Sequence, residues 1–302
     1  MRILIGVDGS SAADVACDLV ADRTWAAGTR VSLLGVIEPL IDWTGTAPSS
    51  GEGMESRRAT LGVVIEERAD VLRRRGLIVD AAVDFGAPAD LLIDRAAETF
   101  TDLIVVGSRG LGAAASAVLG SVSAYLVDHA GCPVLVARSP EATRMLLATD
   151  GTPSAGAIPR MLASWGNAFR GLPVEVLSVA PRNGFVTPWS TADDEDGPAG
   201  DAELVVHERI AEQVADELIE LGWHAAAVAR AGDPGRQIVT AGREWGADLI
   251  VTGSRGISTL RRIVMGSVAH DVLLHARSSV LVIRGHVPSW IRQPAAQGAL
   301  AV

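Results

Sequence analysis

Two stretches of the chain combine residue types and spacing that suit anion chemistry. Gly107-Ser108-Arg109-Gly110 is followed by nine residues and then Gly120-Ser121-Val122-Ser123, and the same spacing returns as Gly253-Ser254-Arg255-Gly256, nine residues, Gly266-Ser267. Glycines let backbone N–H groups approach phosphate oxygens with no Cβ in the way. A helix that opens at Gly-Ser adds unpaired amides and the positive end of its dipole. Ser121 and Ser123 bring hydroxyl donors, and Arg109 and Arg255 bring guanidinium forks that match phosphate geometry. A single Gly-x-x-Gly turn is most often only a turn; two full copies in register are hard to assign to chance. The copies differ at one place, where Ala269 stands for Ser123. The second loop also carries Arg261 and Arg262 where the first has Ala115 and Ser116, and these arginines either reach the anion or point into solvent. Asp8 and Asp150 close the opening strands in "VDGS" and "TDGT". Their carboxylates could hold ribose hydroxyls or an adenine amine, could cap the helix that follows, or could do both.

What the composition lacks narrows the chemistry further. All 26 basic residues are arginine, which removes Walker A loops, the kinase strand lysine, Schiff-base chemistry and a lysine general base. A net charge of −10 with 4% aromatic residues argues against a nucleic-acid surface. Cys17 and Cys132 stand alone, with neither a disulfide framework nor a zinc motif, and are expected as buried, unpaired thiols. The six histidines lack ligand spacing, so surface or helix-end roles are expected. No apolar run reaches the ~18 residues of a membrane span. Asp8 falls too early for a signal segment, so the expected location is cytoplasmic.

The elements that position these residues are repeated as well. "RILIGVDGSSA" from Arg2 returns as "RMLLATDGTPSA" from Arg144, and "DLIVVGSRG" from Asp102 returns as "DLIVTGSRG" from Asp248. The separation drifts from 142 to 146 residues, a gain that falls in the longer loop from Arg182. Each half alternates short, wholly apolar strands ("ILIGV", "VSLLGVI", "DLIVVG", "PVLVA") with helical patterns over 12–26, 56–75, 88–99 and 121–130. This predicts an α/β fold of two tandem doubly wound parallel five-stranded sheets, Rossmann-like, with helices on both faces. The expected domains are 1–140 and 141–286, with a tail at 287–302 that is either disordered or a small docking arm. The stretches 42–56 and 182–201 read as loops. Trp223 and Trp245 read as core, and Arg73–Arg75 as a solvated helix end. Ligands of such sheets bind beyond the carboxyl ends of the strands, where both glycine clusters fall.

The pattern Gly-x-x-Gly, nine residues, Gly-Ser, with "ILIGVDGS" at the start and "HAGCPVLVAR" at the end of the half, resembles the universal stress protein family in its ATP-binding branch. The likeness covers 1–138 and 144–284. It implies strand order 3-2-1-4-5, ATP between strands one and four, and pairing of the halves through "PVLVA" against "SVLVI". The nucleotide contacts it implies are Asp8, the backbone of Val36, Gly107, Arg109, Gly110, Gly120, Ser121 and Ser123. In the second half they are Asp150, Val179, Gly253, Arg255, Gly256, Gly266 and Ser267. It also implies a stress-response regulator that binds ATP, with or without magnesium; a homodimer and a regulatory protein are the expected partners, and neither nucleic acid nor a membrane is. The alternative is a slow ATP hydrolase or phosphoryl-transfer enzyme using the same sites. ADP or a cyclic nucleotide would present these groups with the same adenine and first phosphates.

Overall fold

The computed structural model of the chain describes residues 1–39, 51–110, 119–153, 155–181, 198–254 and 266–283. The first half runs β1 (Arg2–Gly6), α1 (Ser11–Ala21), β2 (Arg30–Ile37), α2 (Gly51–Arg74), β3 (Ile78–Phe85), α3 (Pro88–Glu98), β4 (Leu103–Gly107), α4 (Ser121–His129) and β5 (Val134–Ala137). The second repeats it as β6 (Met145–Thr149), α5 (Ile158–Ser164), β7 (Pro173–Pro181), α6 (Pro198–Glu220), β8 (His224–Gly232), α7 (Pro234–Trp245), β9 (Leu249–Gly253), α8 (Ser267–His275) and β10 (Ser279–Ile283).

The short strands are apolar on both faces because helices cover both sides of the sheet. β1 and β4 pair in parallel with Ile3 opposite Leu103, and β6 and β9 pair identically with Met145 opposite Leu249. Each half therefore has the expected order 3-2-1-4-5. The two sheets are, however, one: β5 and β10 pair antiparallel, Leu135 opposite Leu281, and the strand order is β3-β2-β1-β4-β5-β10-β9-β6-β7-β8. A continuous core lies on each face. Ile5, Cys17, Leu72, Leu147, Leu162 and Leu218 share the face that carries α1, α2, α5 and α6. Leu4, Leu92, Leu126, Leu146, Ile238 and Leu273 share the other.

Side chains lock the joint between halves. The Arg138 guanidinium donates to the carbonyls of Leu273 (2.6 Å) and Ser278 (3.2 Å). Asp248 accepts from the Thr143 amide (2.8 Å), its hydroxyl (2.6 Å) and the Arg144 amide (3.0 Å), which fixes the linker. Trp25 forms a β-bridge with Gly166 and meets the edge of Phe169 at 5.8 Å between ring centroids. That bridge explains why α1 stops at Ala21 and not near residue 26: a tertiary contact takes over the chain that local pattern assigns to helix.

Other boundaries also move. α2 begins at Gly51 and α6 at Pro198, so parts of both expected loops are helical; proline suits a first helical position because it has no amide to leave unpaired. Residues 42–50, 182–197 and the tail at 287–302 lie outside the described residues. Trp223 is buried, but Trp245 is half-buried at the end of α7. Cys17 is buried and Cys132 half-buried, both unpaired. In the expected solvated run, Arg73 is exposed but pairs with Glu66 and Asp70. α7 ends on Gly246 with φ 72°, the left-handed conformation that glycine adopts freely. The matching position after α3 is Phe100, at φ 51° and 77% exposed.

Candidate functional site

The exits of β1 and β4 lie side by side, and a cleft of about 850 Å³ opens beyond them. Its size falls in the range usual for small-molecule sites, ~300–1,000 Å³. All eight positions expected in the first half, Asp8, Val36, Gly107, Arg109, Gly110, Gly120, Ser121 and Ser123, line it.

Each has a local reason for its place. Helix α1 is capped by Ser10, whose hydroxyl accepts from the Ala13 amide at 3.2 Å. Asp8 is therefore not the helix cap; its Oδ1 accepts from the Ser10 amide at 2.9 Å and holds the turn ahead of the helix. The glycines are bare for different reasons. A Cβ on Gly107 would come within 2.5 Å of the Ala12 backbone, so this glycine lets α1 cross the end of β4 closely. A Cβ on Gly110 would fall 2.6 Å from Asp8 Oδ2. Gly120 has more room, with nothing nearer than 3.4 Å to an added Cβ. The fold itself thus requires Gly107, which residue type alone did not reveal.

Helix α4 opens at Gly120 with no side-chain cap, whereas Ser10 caps α1 and Asp233 caps α7. The Gly120 amide donates to the Ser108 carbonyl at 2.8 Å. This closes the neck of the loop and leaves the amides of Ser121, Val122 and Ser123 as the unpaired first turn facing the cleft. The Ser123 hydroxyl, buried, donates to the Gly107 carbonyl at 2.7 Å and ties the start of α4 to the end of β4. Its one proton is committed there, so toward a ligand the side chain can only accept. Exposed Arg109 supplies a cation at the rim. Burial lowers the pKa of neighbouring Arg138 to about 10, and the Arg109 charge adds to that effect. A bound anion would relieve this clustering of positive charge.

The second half keeps the frame. Gly266 donates to the Ser254 carbonyl at 2.8 Å, matching the first copy, and α8 likewise opens at Gly266–Ser267 without a side-chain cap. Asp150 Oδ1 accepts from the Thr152 amide (3.0 Å) and hydroxyl (2.7 Å). With Ala269 buried in place of Ser123, the Thr252 hydroxyl donates to the Gly253 carbonyl at 3.2 Å. Val179 is buried at the end of β7. Arg255, Gly256, Arg261 and Arg262 lie outside the described residues.

Sequence reasoning missed one whole wall. Ser56, Arg57, Thr60, Leu61 and Val64 of α2 face the first cleft; no motif marks them, because they reach it only through the way α2 packs over β2. It also assigned His207 to the surface or a helix end. His207 is instead buried on α6, its Nδ1 2.8 Å from the hydroxyl of fully buried Ser178. In the first copy Gly35 occupies the Ser178 position, and a Cβ there would strike Ile65 at 2.4 Å and Leu61 at 2.8 Å; Ala211 and His207 replace those two residues and make room for the polar pair. His129 and His275 sit at helix ends, each Nδ1 2.9 Å from the carbonyl four residues earlier. Among the described residues no group of three or more His, Cys, Asp or Glu could hold a metal, and no helix is long and apolar enough to cross a membrane.

A doubly wound sheet whose strand exits carry an uncapped, glycine-led helix defines a protein of the Rossmann-like α/β class. Within that class the chain belongs to the universal stress protein family, whose model matches residues 1–138 and 141–284. It is 28% identical to universal stress protein Rv2005c of Mycobacterium tuberculosis over 304 residues, 93% of this chain and 96% of the relative. It is also 27% identical to Rv2623 of the same organism over 303 residues, 94% and 96% of the two chains. In three dimensions it resembles a universal stress protein from Archaeoglobus fulgidus, with TM-score 0.64 at 19% identity, covering 94% of this chain and 98% of that one. That likeness extends the tandem fold across both halves.

Proposed function

We propose that the protein is a cytoplasmic, ATP-binding regulator of the stress response, with one nucleotide site in each half, acting by binding and not by catalysis. The observation that carries the reading is the uncapped first turn of α4, set in a cleft that gathers all eight expected contacts. Exposed amides and a helix dipole there favour a phosphate group, and Arg109 adds a charge-assisted donor. Asp8, Val36 and the α2 wall lie on the side where the ribose and base would extend. With no lysine in the chain, the phosphate grip falls to amides, hydroxyls and arginine. ATP, alone or with magnesium, is the ligand, and its occupancy sets which surface the protein offers to a regulatory partner or to a second copy of the chain.

Calorimetric titration with ATP, ADP and a cyclic nucleotide, paired with a phosphate-release assay on the same preparation, tests this. The reading expects saturable ATP binding at up to about two per chain and no steady turnover. Absence of binding overturns it; turnover that Asp8→Ala abolishes would make the protein an enzyme.

A further inference from the structure

The two halves share the frame at the start of α4 and α8 but not the helix residues that stand opposite it in the first half. Helix α2 and helix α6 end identically: Leu77 donates to the Leu72 carbonyl at 3.3 Å, and Trp223 donates to the Leu218 carbonyl at 2.9 Å. Leu72 therefore matches Leu218, and fifteen residues upstream along each uninterrupted helix Arg57 matches Glu203. The repeat thus reverses a charge at a position that, in the first half, lines the cleft. Arg57 lines the first cleft, and its guanidinium donates to the Glu38 carbonyl at 3.2 Å. Glu38 stands two residues beyond Val36, at the exit of β2.

Sheet geometry says which part of a nucleotide meets Arg57. Phosphates held at the start of α4 lie beyond β4, and β2 is two strands away across β1, about 10 Å at the usual strand spacing. A nucleotide anchored by its phosphates and extending across the cleft brings its base to the β2 exit, where Arg57 stands. A planar guanidinium there can lie flat against an aromatic base, an arrangement open neither to a carboxylate nor, with the same geometry, to an ammonium group.

We infer that Arg57 covers the base of the bound nucleotide in the first cleft, and that Glu203 denies the second cleft this contact, so the two halves bind adenine nucleotides with unequal affinity. The inference rests on the ATP-binding reading above and adds which half fills first and what sets the difference.

Calorimetry isolates each site with an aspartate at the glycine that opens the other site's helix: Gly266→Asp leaves the first cleft and Gly120→Asp the second. In the first cleft, Arg57→Ala should weaken ATP about tenfold, as expected for one lost cation–aromatic contact, and leave inorganic tripolyphosphate unchanged. Arg57→Lys should restore only a minor part of that loss. In the second cleft, Glu203→Arg should tighten ATP by clearly more than tripolyphosphate, which gains only from the reversed charge. Arg57 and Glu203 are both exposed, so thermal unfolding should not move and serves as the folding control. Equal ATP affinity in Arg57→Ala and the unaltered protein, or an equal loss for tripolyphosphate, overturns the inference while leaving the ATP site intact. If the unaltered protein binds neither ATP nor tripolyphosphate, it is the underlying reading that fails.

Discussion

Gly120→Asp separates the site from the fold more cleanly than any other single change. Gly120 is the N-cap of α4 at φ −76° and ψ 152°, a conformation open to any residue, and an added Cβ meets nothing closer than 3.4 Å. Aspartate is a preferred N-cap and complements the helix dipole, worth a few tenths of a kcal/mol to ~1 kcal/mol over glycine. For a chain of this size that corresponds to an unchanged or slightly higher Tm, by about 1–3 °C. The same carboxylate stands where the phosphates would dock. Two unit charges ~4 Å apart repel by about 1 kcal/mol in water and about 4 kcal/mol at the effective dielectric of a protein surface. A tail of several charges should therefore bind at least ~100-fold more weakly. Calorimetry of Gly266→Asp and of the double Gly120→Asp, Gly266→Asp variant reads the first-site affinity before and after the change, and scanning calorimetry reads the stability. Undiminished ATP affinity at normal Tm would refute the argument that the start of α4 receives the phosphates.

Gly107→Ala should behave oppositely: its Cβ would fall 2.5 Å from the Ala12 backbone, so overpacking of about 1–3 kcal/mol should lower Tm clearly, as scanning calorimetry will show. Phe100→Gly should raise stability by roughly 0.5–1 kcal/mol in a denaturant titration, because it relieves a left-handed backbone at φ 51° that the second copy assigns to Gly246. Burial holds the Cys17 and Cys132 thiols up at a pKa of about 12 each. Since only the thiolate reacts, fully buried Cys17 should not label with a disulfide reagent at pH 8 in the folded protein and half-buried Cys132 should label only slowly, whereas both should label at once in denaturant.

The parts of this molecule that could be read from sequence are those in which local chemistry and position coincide. The proposed phosphate cradle is a backbone feature, so Gly107, Gly110 and Gly120 with Ser121 carry their spacing openly, and a duplicated chain shows it twice. The apolar strands and their order follow from the same repetition. What stayed hidden depends on contacts between distant segments. Arg57, Thr60 and Leu61 become a cleft wall only when α2 lies across β2. The reason for Gly107 is the backbone of Ala12, and for Ser178 and His207 it is each other. The end of α1 was misjudged because Trp25 is captured by Gly166 of the other half. The joining of two sheets into one was carried by the family resemblance, since nothing in "PVLVA" itself names its antiparallel partner.

In the proposed site, amides of the first turn of α4 receive a nucleotide's phosphates without any ammonium group. A crystal structure of the protein grown with ATP tests it most directly. Phosphate oxygens should lie within hydrogen-bonding distance of the Ser121, Val122 and Ser123 amides, with the base toward Val36 and Arg57. Nucleotide bound elsewhere, or a first cleft closed by its own side chains, would contradict it.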